Sequence, residues 1–148
     1  MSFSIGEVAK RLGCNVQTLR YYEQIGLVAP AHRTEGGQRR YGQKDLEHLK
    51  FIRHSRELGF SLDSIRTLLR LSRHSDEPCQ QADALAREQL HQVRSRIARL
   101  QALEAELADM VEQCECNVVA NCRVIEVLGN HDLCQHGDHH VGAHAVRD

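Results

Sequence analysis

The chain has 148 residues, a formal net charge of −1 at pH 7, and six cysteines. This length suits one domain, or a small domain with an appendage, and leaves room for only a modest core. No run approaches the ~20 apolar residues of a membrane span and the N-terminus lacks the pattern of an export signal, so a cytoplasmic protein is expected.

The near-neutral total hides a division of charge along the chain. Residues 1–73 hold 13 Lys and Arg against 7 Asp and Glu, a net charge of +6, whereas residues 74–148 hold 6 against 13, a net charge of −7. The first half therefore suits a polyanion such as nucleic acid, and the second half does not. In a cytoplasmic chain, six cysteines indicate metal ligands or redox groups rather than disulfides.

Two short helices are predicted at the start of the chain. Ser4 and Glu7 form a capping-box pattern, and Gly13 stops the helix that this pattern opens. Asn15 caps a second helix over residues 16–25. Two short helices joined by a tight turn that contains glycine predict a helix-turn-helix.

A hairpin and two further helices follow. Within residues 27–41, the pair Gly36-Gly37 lies between two short extended pieces and predicts a hairpin wing. The basic side chains around this turn are Arg33, Arg39 and Arg40. Helices are predicted over residues 44–58 and 62–72, and their apolar positions supply a small core, namely Leu46, Leu49, Ile52, Ile65, Leu68 and Leu69.

A long amphipathic helix occupies much of the second half. Pro78 suits its first turn, and the helical pattern continues to about residue 113. Apolar residues recur at near-heptad spacing, at Ala86, Leu90, Val93, Ile97, Leu100, Leu103, Leu107 and Met110. This stripe is narrow and the other faces carry Arg, Glu and Gln, so a partner helix explains it better than packing on the protein's own domain.

Cysteines bracket this helix, with Cys79 before it and Cys114, Cys116 and Cys122 after it. At about 1.5 Å per helical residue, Cys79 and Cys114 of one chain lie roughly 50 Å apart and cannot share a ligand. In an antiparallel pair of helices, Cys79 of one protomer lies close to Cys114, Cys116 and Cys122 of its partner. The dimer then has a metal site at each end.

The end of the chain is predicted to hold a short helix and a tail. Asn121 caps a helix over residues 122–128. From residue 129, a tail with five histidines and one cysteine has almost no apolar periodicity, which predicts flexibility. Its candidate accessory metal ligands are His131, Cys134, His136, His139 and His140, although a solvated tail is also compatible. Cys14 is the only cysteine in the turn between the first two predicted helices, and it is expected to be a small buried apolar residue.

Several motifs, in this order, are similar to those of one family. They are Ile5-Gly6-Glu7-Val8-Ala9, Thr18-Leu19-Arg20-Tyr21-Tyr22-Glu23, Gly26-Leu27, Gly36-Gly37-Gln38-Arg39-Arg40-Tyr41 and Leu58-Gly59-Phe60-Ser61-Leu62. Over about residues 4–128, the chain resembles the mercury-resistance regulator (MerR) family of bacterial transcription activators, in the branch that senses soft or borderline metal ions.

This resemblance and the predicted elements give a mainly α fold in four parts. Residues 1–73 form a winged helix-turn-helix DNA-binding domain, and residues 74–113 a long antiparallel coiled-coil dimerisation helix. Residues 114–128 form a C-terminal metal-binding loop with a short helix, and residues 129–148 the tail.

Candidate DNA contacts lie on the second helix and the wing. The exposed N-terminal part of the helix offers Gln17, Thr18, Arg20 and Tyr21 to base edges and phosphates. The resemblance implies DNA contacts by Arg20 and Tyr22, and contacts to the DNA backbone by Arg33, Arg39 and Tyr41, with Arg40 in the same basic group. One ring of the pair Tyr21-Tyr22 is expected in the core.

The cysteines predict the chemistry of the ion. Thiolates of Cys79, Cys114 and Cys122, with Cys116, a histidine or water in a fourth position, suit zinc, cadmium, lead or mercury. Copper(I) stays open because the eight-residue offset between Cys114 and Cys122 also resembles that of the family's copper sensors. An iron-sulfur cluster is a further alternative, although Val111 stands where the similar motif of superoxide-responsive members has its first cysteine.

Together these features predict a homodimeric, metal-responsive regulator that activates a zinc, cadmium or lead efflux or detoxification system. As the resemblance implies, the dimer binds a pseudo-palindromic promoter and distorts it until RNA polymerase reads both promoter elements. The alternative of another class is a coiled-coil metal buffer or chaperone, which needs neither recognition helix nor wing. No nucleophile-base pairing or phosphate loop indicates an enzyme.

Overall fold

The structure, a computed structural model, describes residues 1–114 and 118–136. It divides into two compact units, residues 1–89 and the described part of residues 90–148. The helices are α1 (Ile5–Leu12), α2 (Val16–Gln24), α3 (Gln43–Glu57), α4 (Leu62–Ser72), α5 (Gln80–Gln113) and α6 (Arg123–Gly129). The strands are β1 (Phe3–Ser4), β2 (His32–Arg33) and β3 (Arg39–Tyr41). No helix within the described ranges has the length and apolar composition to cross a membrane.

The first unit contains a small antiparallel sheet in the order β1-β3-β2. The β2-β3 hairpin is the predicted wing, and the Gly37 amide closes its turn by donating to the Thr34 carbonyl at 2.8 Å. Gly37 has φ +78°, a left-handed conformation that favours glycine. Strand β1 was not predicted, because two residues carry too little pattern to indicate a strand.

Capping side chains begin the helices where the sequence predicted. The Glu7 amide donates to Ser4 Oγ at 3.3 Å and the Ser4 amide donates to the Glu7 carboxylate at 2.7 Å, which completes the capping box of α1. Asn15 Oδ1 accepts the Thr18 amide at the start of α2 at 2.8 Å. Ser61 caps α4 in the same way. Each cap satisfies an amide that the first turn leaves unpaired.

The first unit has its own hydrophobic core. Of the six predicted core residues, Leu68 is only half-buried and the other five are buried, namely Leu46, Leu49, Ile52, Ile65 and Leu69. The other buried members of this core are Phe3, Val8, Ala9, Leu12, Leu19, Leu27, Val28 and Tyr41. Because a buried aliphatic side chain contributes about 1.5–3 kcal/mol, this set holds α1 to α4 and the sheet together.

Helix α5 is continuous over 34 residues and begins two residues later than predicted. The Cys79 carbonyl accepts the Asp83 amide at 2.9 Å, so Cys79 is the N-cap and Pro78 precedes the helix instead of opening it. The predicted apolar stripe is largely exposed, with exposed fractions of 36–64% at Leu90, Val93, Ile97, Leu100, Leu103 and Leu107. Met110 departs from the prediction because it is buried within the second unit.

The second unit ends with α6 between two short 3-10 turns, Val119–Asn121 and His131–Leu133. Cys122 is the N-cap of α6, so this helix begins one residue later than predicted. Asn121, the predicted cap, instead ends the preceding 3-10 turn. The structure therefore places the backbone of Cys122 at the start of the helix.

The first part of the predicted flexible tail lies against α5. The buried Glu106 carboxylate accepts the amides of Gln135 and His136 at 2.8 and 3.0 Å. The His136 ring contacts the Asp109 carboxylate. Burial alone would raise the pKa of Glu106, but these donors outweigh it and the pKa lies below its usual value. Residues 131–136 thus differ from the predicted flexibility, and residues 137–148 lie outside the described residues.

Candidate DNA-binding surface and metal ligands

The exposed face of α2 presents polar side chains near its N-terminus. Gln17, Arg20 and Tyr21 are exposed. Thr18 is half-buried and its hydroxyl donates to Asn15 Oδ1 at 2.8 Å, so Thr18 also supports the helix cap. A cation, an amide and a phenol on one exposed surface suit base edges and phosphates.

Tyr21 is 48% exposed, and the ring centroid of its neighbour Tyr22 lies 6.2 Å from its own, whereas Tyr22 is the more buried of the two. It is half-buried against the core, and this burial raises its pKa. The structure confirms that one ring of the pair serves packing. A DNA contact by Tyr22 stays a prediction.

The basic side chains of the wing have different surroundings. Arg33 is exposed, and its guanidinium donates to the Gly37 carbonyl at 3.1 Å within the hairpin. Arg40 is half-buried. Arg39 is also half-buried, and its Nε–H donates to the Glu23 carboxylate at 3.2 Å. The three arginines are therefore not equivalent cations on one surface.

Tyr41 lies inside the first unit, with only 2% of its surface exposed. Burial raises its pKa, and the nearby Glu23 carboxylate raises it further. The sequence grouped Tyr41 with the DNA-backbone contacts, whereas the structure places its ring in the core and its hydroxyl 3.5 Å from Glu23. The prediction did not include Glu23, because the sequence does not distinguish it from the six other acidic residues of residues 1–73.

The cysteines around α5 lie at or next to helix ends. Cys79 is exposed at the N-cap of α5, and Cys122 is half-buried at the N-cap of α6. Cys114 is half-buried and directly follows the last residue of α5. Within residues 1–114 and 118–136 of the single chain, no three Cys, His, Asp or Glu side chains could hold an ion together. Cys116 lies outside the described residues, and the predicted ligand set stays a prediction.

The remaining cysteines are half-buried. Cys14 packs against the core of the first unit, and burial raises its pKa. The Cys134 thiol is hydrogen-bonded to the Glu106 carboxylate, and burial and that carboxylate both raise its pKa. A raised pKa disfavours the thiolate that binds metal. His139 and His140 lie outside the described residues, so the accessory site stays a prediction.

A helix-turn-helix, a hairpin wing and an excess of positive charge occur together in residues 1–73. This combination defines the class of winged helix-turn-helix DNA-binding proteins. A family profile described as "MerR HTH family regulatory protein" matches residues 3–72, and one described as "MerR, DNA binding" matches residues 46–110. The chain belongs to the MerR family of transcriptional regulators, and it is a DNA-binding regulator, not an enzyme.

The chain is similar to named members of this family over most of its length. It is 40% identical over 130 residues to the HTH-type transcriptional regulator ZntR of Escherichia coli K12, which covers 85% of this chain and 92% of that protein. It is 37% identical over 127 residues to the heavy metal-dependent transcription regulator 2 of Rhizobium meliloti, with 86% of each covered.

A solved structure agrees with these likenesses. The crystal structure of the transcription regulator PbrR691 from Ralstonia metallidurans CH34 in complex with lead(II) matches with a TM-score of 0.72 and 37% identity. The match covers 85% of this chain and 98% of that chain.

Proposed function

We propose that this protein is a homodimeric transcriptional activator that responds to a soft or borderline divalent ion, zinc, cadmium or lead, with mercury as a further candidate. Each ion is held by Cys79 of one protomer and by Cys114, Cys116 and Cys122 of the other. The proposal is supported by relatives named as heavy metal-dependent or found in complex with lead(II). The controlled genes serve efflux or detoxification of the ion.

The length of α5 is the main support for a metal site that two protomers share. Cys79 caps one end of this helix and Cys114 follows the other, with 34 helical residues between them. At 1.5 Å per residue, the helix is about 50 Å long. Thiols of one chain at its two ends cannot bind one ion, whereas an antiparallel partner brings opposite ends together.

The exposed stripe on α5 supports the antiparallel dimer. Its central residues Ile97 and Leu100 are 49% and 64% exposed in the single chain. A shallow, mainly apolar depression on the same helix is lined by Leu100, Leu103, Glu104, Leu107, Ala108 and Val111. An apolar stripe at heptad-like spacing on a long polar helix is typical of a coiled-coil seam.

The donor set fits a soft or borderline ion. Thiolates are preferred by zinc, cadmium, lead and mercury, and one thiolate from each side gives a link between subunits. Cys79 and Cys122 are the N-cap residues of α5 and α6, so both thiols lie at helix starts. When bound, the ion supplies attraction between residues of different subunits, which the apo dimer lacks.

This link connects metal binding to DNA. Cys79 caps α5 directly after the DNA-binding domain, so a constraint on Cys79 acts on the position of the recognition helix in each half of the dimer. Distorting a promoter takes of order 1–6 kcal/mol, which is within reach of the 1–3 kcal/mol of a typical allosteric coupling acting at two sites. The distorted promoter then presents both of its elements to RNA polymerase.

Mixed dimers test the shared site. One chain carries Cys79→Ser and the other Cys114→Ser, and differently tagged chains are co-purified and titrated with zinc and with lead. A shared site leaves one end of the dimer intact, so one ion per dimer binds with wild-type affinity and the second is lost. A dimer of two Cys14→Ser chains is the control and keeps both sites. Two weakened sites in the mixed dimer would mean that each chain binds its ion alone.

A further inference from the structure

One carboxylate joins the recognition helix to the wing. Glu23 lies in the last turn of α2, and its carboxylate accepts Arg39 Nε–H at 3.2 Å and the Tyr41 hydroxyl at 3.5 Å. Arg39 and Tyr41 belong to β3 and lie 16 and 18 residues further along the chain. The contact therefore links the two elements that a winged helix-turn-helix applies to DNA.

This ion pair is more enclosed than an ordinary surface pair. The Arg39 and Glu23 side chains are 23% and 14% exposed, whereas the side chains of the pair Arg53–Glu57 within α3 are 44% and 56% exposed. Partial exclusion of water strengthens a charge-assisted hydrogen bond and leaves fewer alternative partners for either group. The enclosed pair of Glu23 and Arg39 therefore restrains the wing more strongly than a solvent-exposed pair at the same place would.

The position of Glu23 is unfavourable for the helix itself. A carboxylate near the C-terminal end of a helix meets the negative end of the helix dipole. Arg39 offsets this repulsion, and Tyr41 adds a donor from the buried side. The side chain thus does nothing for α2 in isolation and acts only through its contact with β3.

The same contact changes what Arg39 offers to DNA. Its Nε–H and its charge already face a carboxylate, whereas Arg20 on the recognition helix and Arg33 on the wing are exposed. A phosphate would have to compete with Glu23 for Arg39, and the added phosphate would face the Glu23 charge. Arg39 is therefore poorly placed to add a phosphate contact of its own.

We propose that Glu23 is a positioning residue for DNA recognition, which fixes the wing relative to the recognition helix through Arg39 and Tyr41. Arg39 serves this link and not a phosphate contact. The inference rests on the DNA-binding part of the proposed function and is independent of the metal ion.

The decisive variant is Glu23→Gln, because charge and position predict opposite results for it. Removing a negative charge beside DNA tightens binding if electrostatics alone matters. The DNA probe is a duplex that the wild-type protein selects from a random pool. If Glu23 positions the wing, Glu23→Gln binds this duplex about five- to tenfold more weakly than the wild-type protein does. Binding is measured by fluorescence anisotropy across a range of salt concentrations. Binding that is unchanged or tighter overturns the inference.

The salt dependence of DNA binding by Arg39→Gln distinguishes a positioning role for Arg39 from a direct phosphate contact. A lost phosphate contact in each protomer would reduce the slope of log K against log salt by about 1.8 per dimer. We expect weaker binding with an unchanged slope, and a loss near that size overturns the role given to Arg39. A flat slope for the wild-type protein would instead refute DNA binding itself, so the two failures are distinguishable.

Matched variants separate the link from general damage. Glu57→Gln makes the same substitution in the exposed pair with Arg53 and should leave DNA affinity within twofold of wild type. The double variant Glu23→Gln with Arg39→Gln should bind no more weakly than the worse single variant, and additive losses contradict a shared link. If Glu23→Gln does not fold, Glu23→Asp keeps the charge but shortens the reach; wild-type affinity in this folded variant overturns the inference.

Discussion

The two units of this protein bury their apolar residues in different ways. Residues 1–89 enclose thirteen hydrophobic side chains in one core. In the described part of residues 90–148, only Glu106, Met110 and Val127 are buried, while six residues of the α5 stripe are exposed. Because apolar area that stays in water contributes nothing to folding, the first unit is stabilised from within, whereas the exposed stripe of the second fits the partner helix that we propose.

In the proposed function, the DNA-binding surface and the dimer seam draw their stability from different sources. A surface that must match DNA is held by a core that one chain completes. The stripe that we propose as the dimer seam has little packing within its own chain.

Breaking the seam should give the largest effect. Leu100→Glu puts a carboxylate at the most exposed leucine of the stripe, 64% exposed in the single chain, and the dimer would bury two of them. Losing two buried leucines and desolvating two charges should weaken association by about 10³-fold or more. Sedimentation equilibrium measures the dissociation constant.

The matched control places the same carboxylate one residue away. Gln101→Glu lies beside the stripe and not on it, so the dimer should keep its wild-type dissociation constant. Equal weakening by Leu100→Glu and Gln101→Glu would show a general charge effect. A fully dimeric Leu100→Glu protein would place the interface on another surface.

Damage to the first core should be smaller and should spare the dimer. Ile52 has no exposed surface, and Ile52→Ala should lower the free energy of unfolding by about 2–5 kcal/mol. Leu58→Ala removes an apolar side chain that is 54% exposed and should lower it by under about 1 kcal/mol. Urea denaturation at one fixed protein concentration checks both, since dimer stability depends on concentration. Equal losses would contradict a core confined to buried positions.

The sequence predicted the parts whose signals are local. Capping by Ser4, Asn15 and Ser61 and the turn at Gly37 were predicted correctly, because each hydrogen bond joins residues three apart in the chain. The core positions on α3 and α4 also follow from spacing alone. The start of α5 was missed by two residues because Pro78 suits either the first turn or the position before it.

Contacts between distant residues could not be predicted in the same way. Nothing in the spacing of Glu23 and Arg39 indicates that they meet, so Arg39 and Tyr41 were grouped with exposed cations and donors. The packing of residues 131–136 against α5 was missed for the same reason. The Glu106 carboxylate accepts a hydrogen bond from the Gln135 amide, which lies 29 residues further along the chain. Composition described the tail as polar and could not show that a buried carboxylate holds its backbone.

A substitution of Glu106 should release residues 131–136 from α5. Glu106→Gln keeps the shape of the side chain but loses the charge that attracts the amides of Gln135 and His136. We expect these two amides to exchange with solvent about tenfold faster, because charge-assisted hydrogen bonds are the stronger kind, while dimerisation is unchanged. Glu112→Gln alters an exposed carboxylate of the same helix and is the control. Unchanged exchange in Glu106→Gln would mean that other contacts hold the segment.

The smallest expected effect is an alkaline one in the first unit. The folded pKa of Tyr41 is raised above the ordinary value of 10.0, because burial and then Glu23 disfavour the phenolate. Such a group contributes stability that is fully present below the unfolded pKa and is lost as pH rises through the folded pKa. Wild-type unfolding free energy should therefore fall above about pH 10, and Tyr41→Phe, which cannot ionise, should show a shallower fall. Urea denaturation from neutral to alkaline pH makes the comparison, with Tyr21→Phe as the control because that ring is 48% exposed. Parallel curves for wild type and Tyr41→Phe would mean that the buried phenol does not control alkaline stability, and that the first unit fails at high pH through another group.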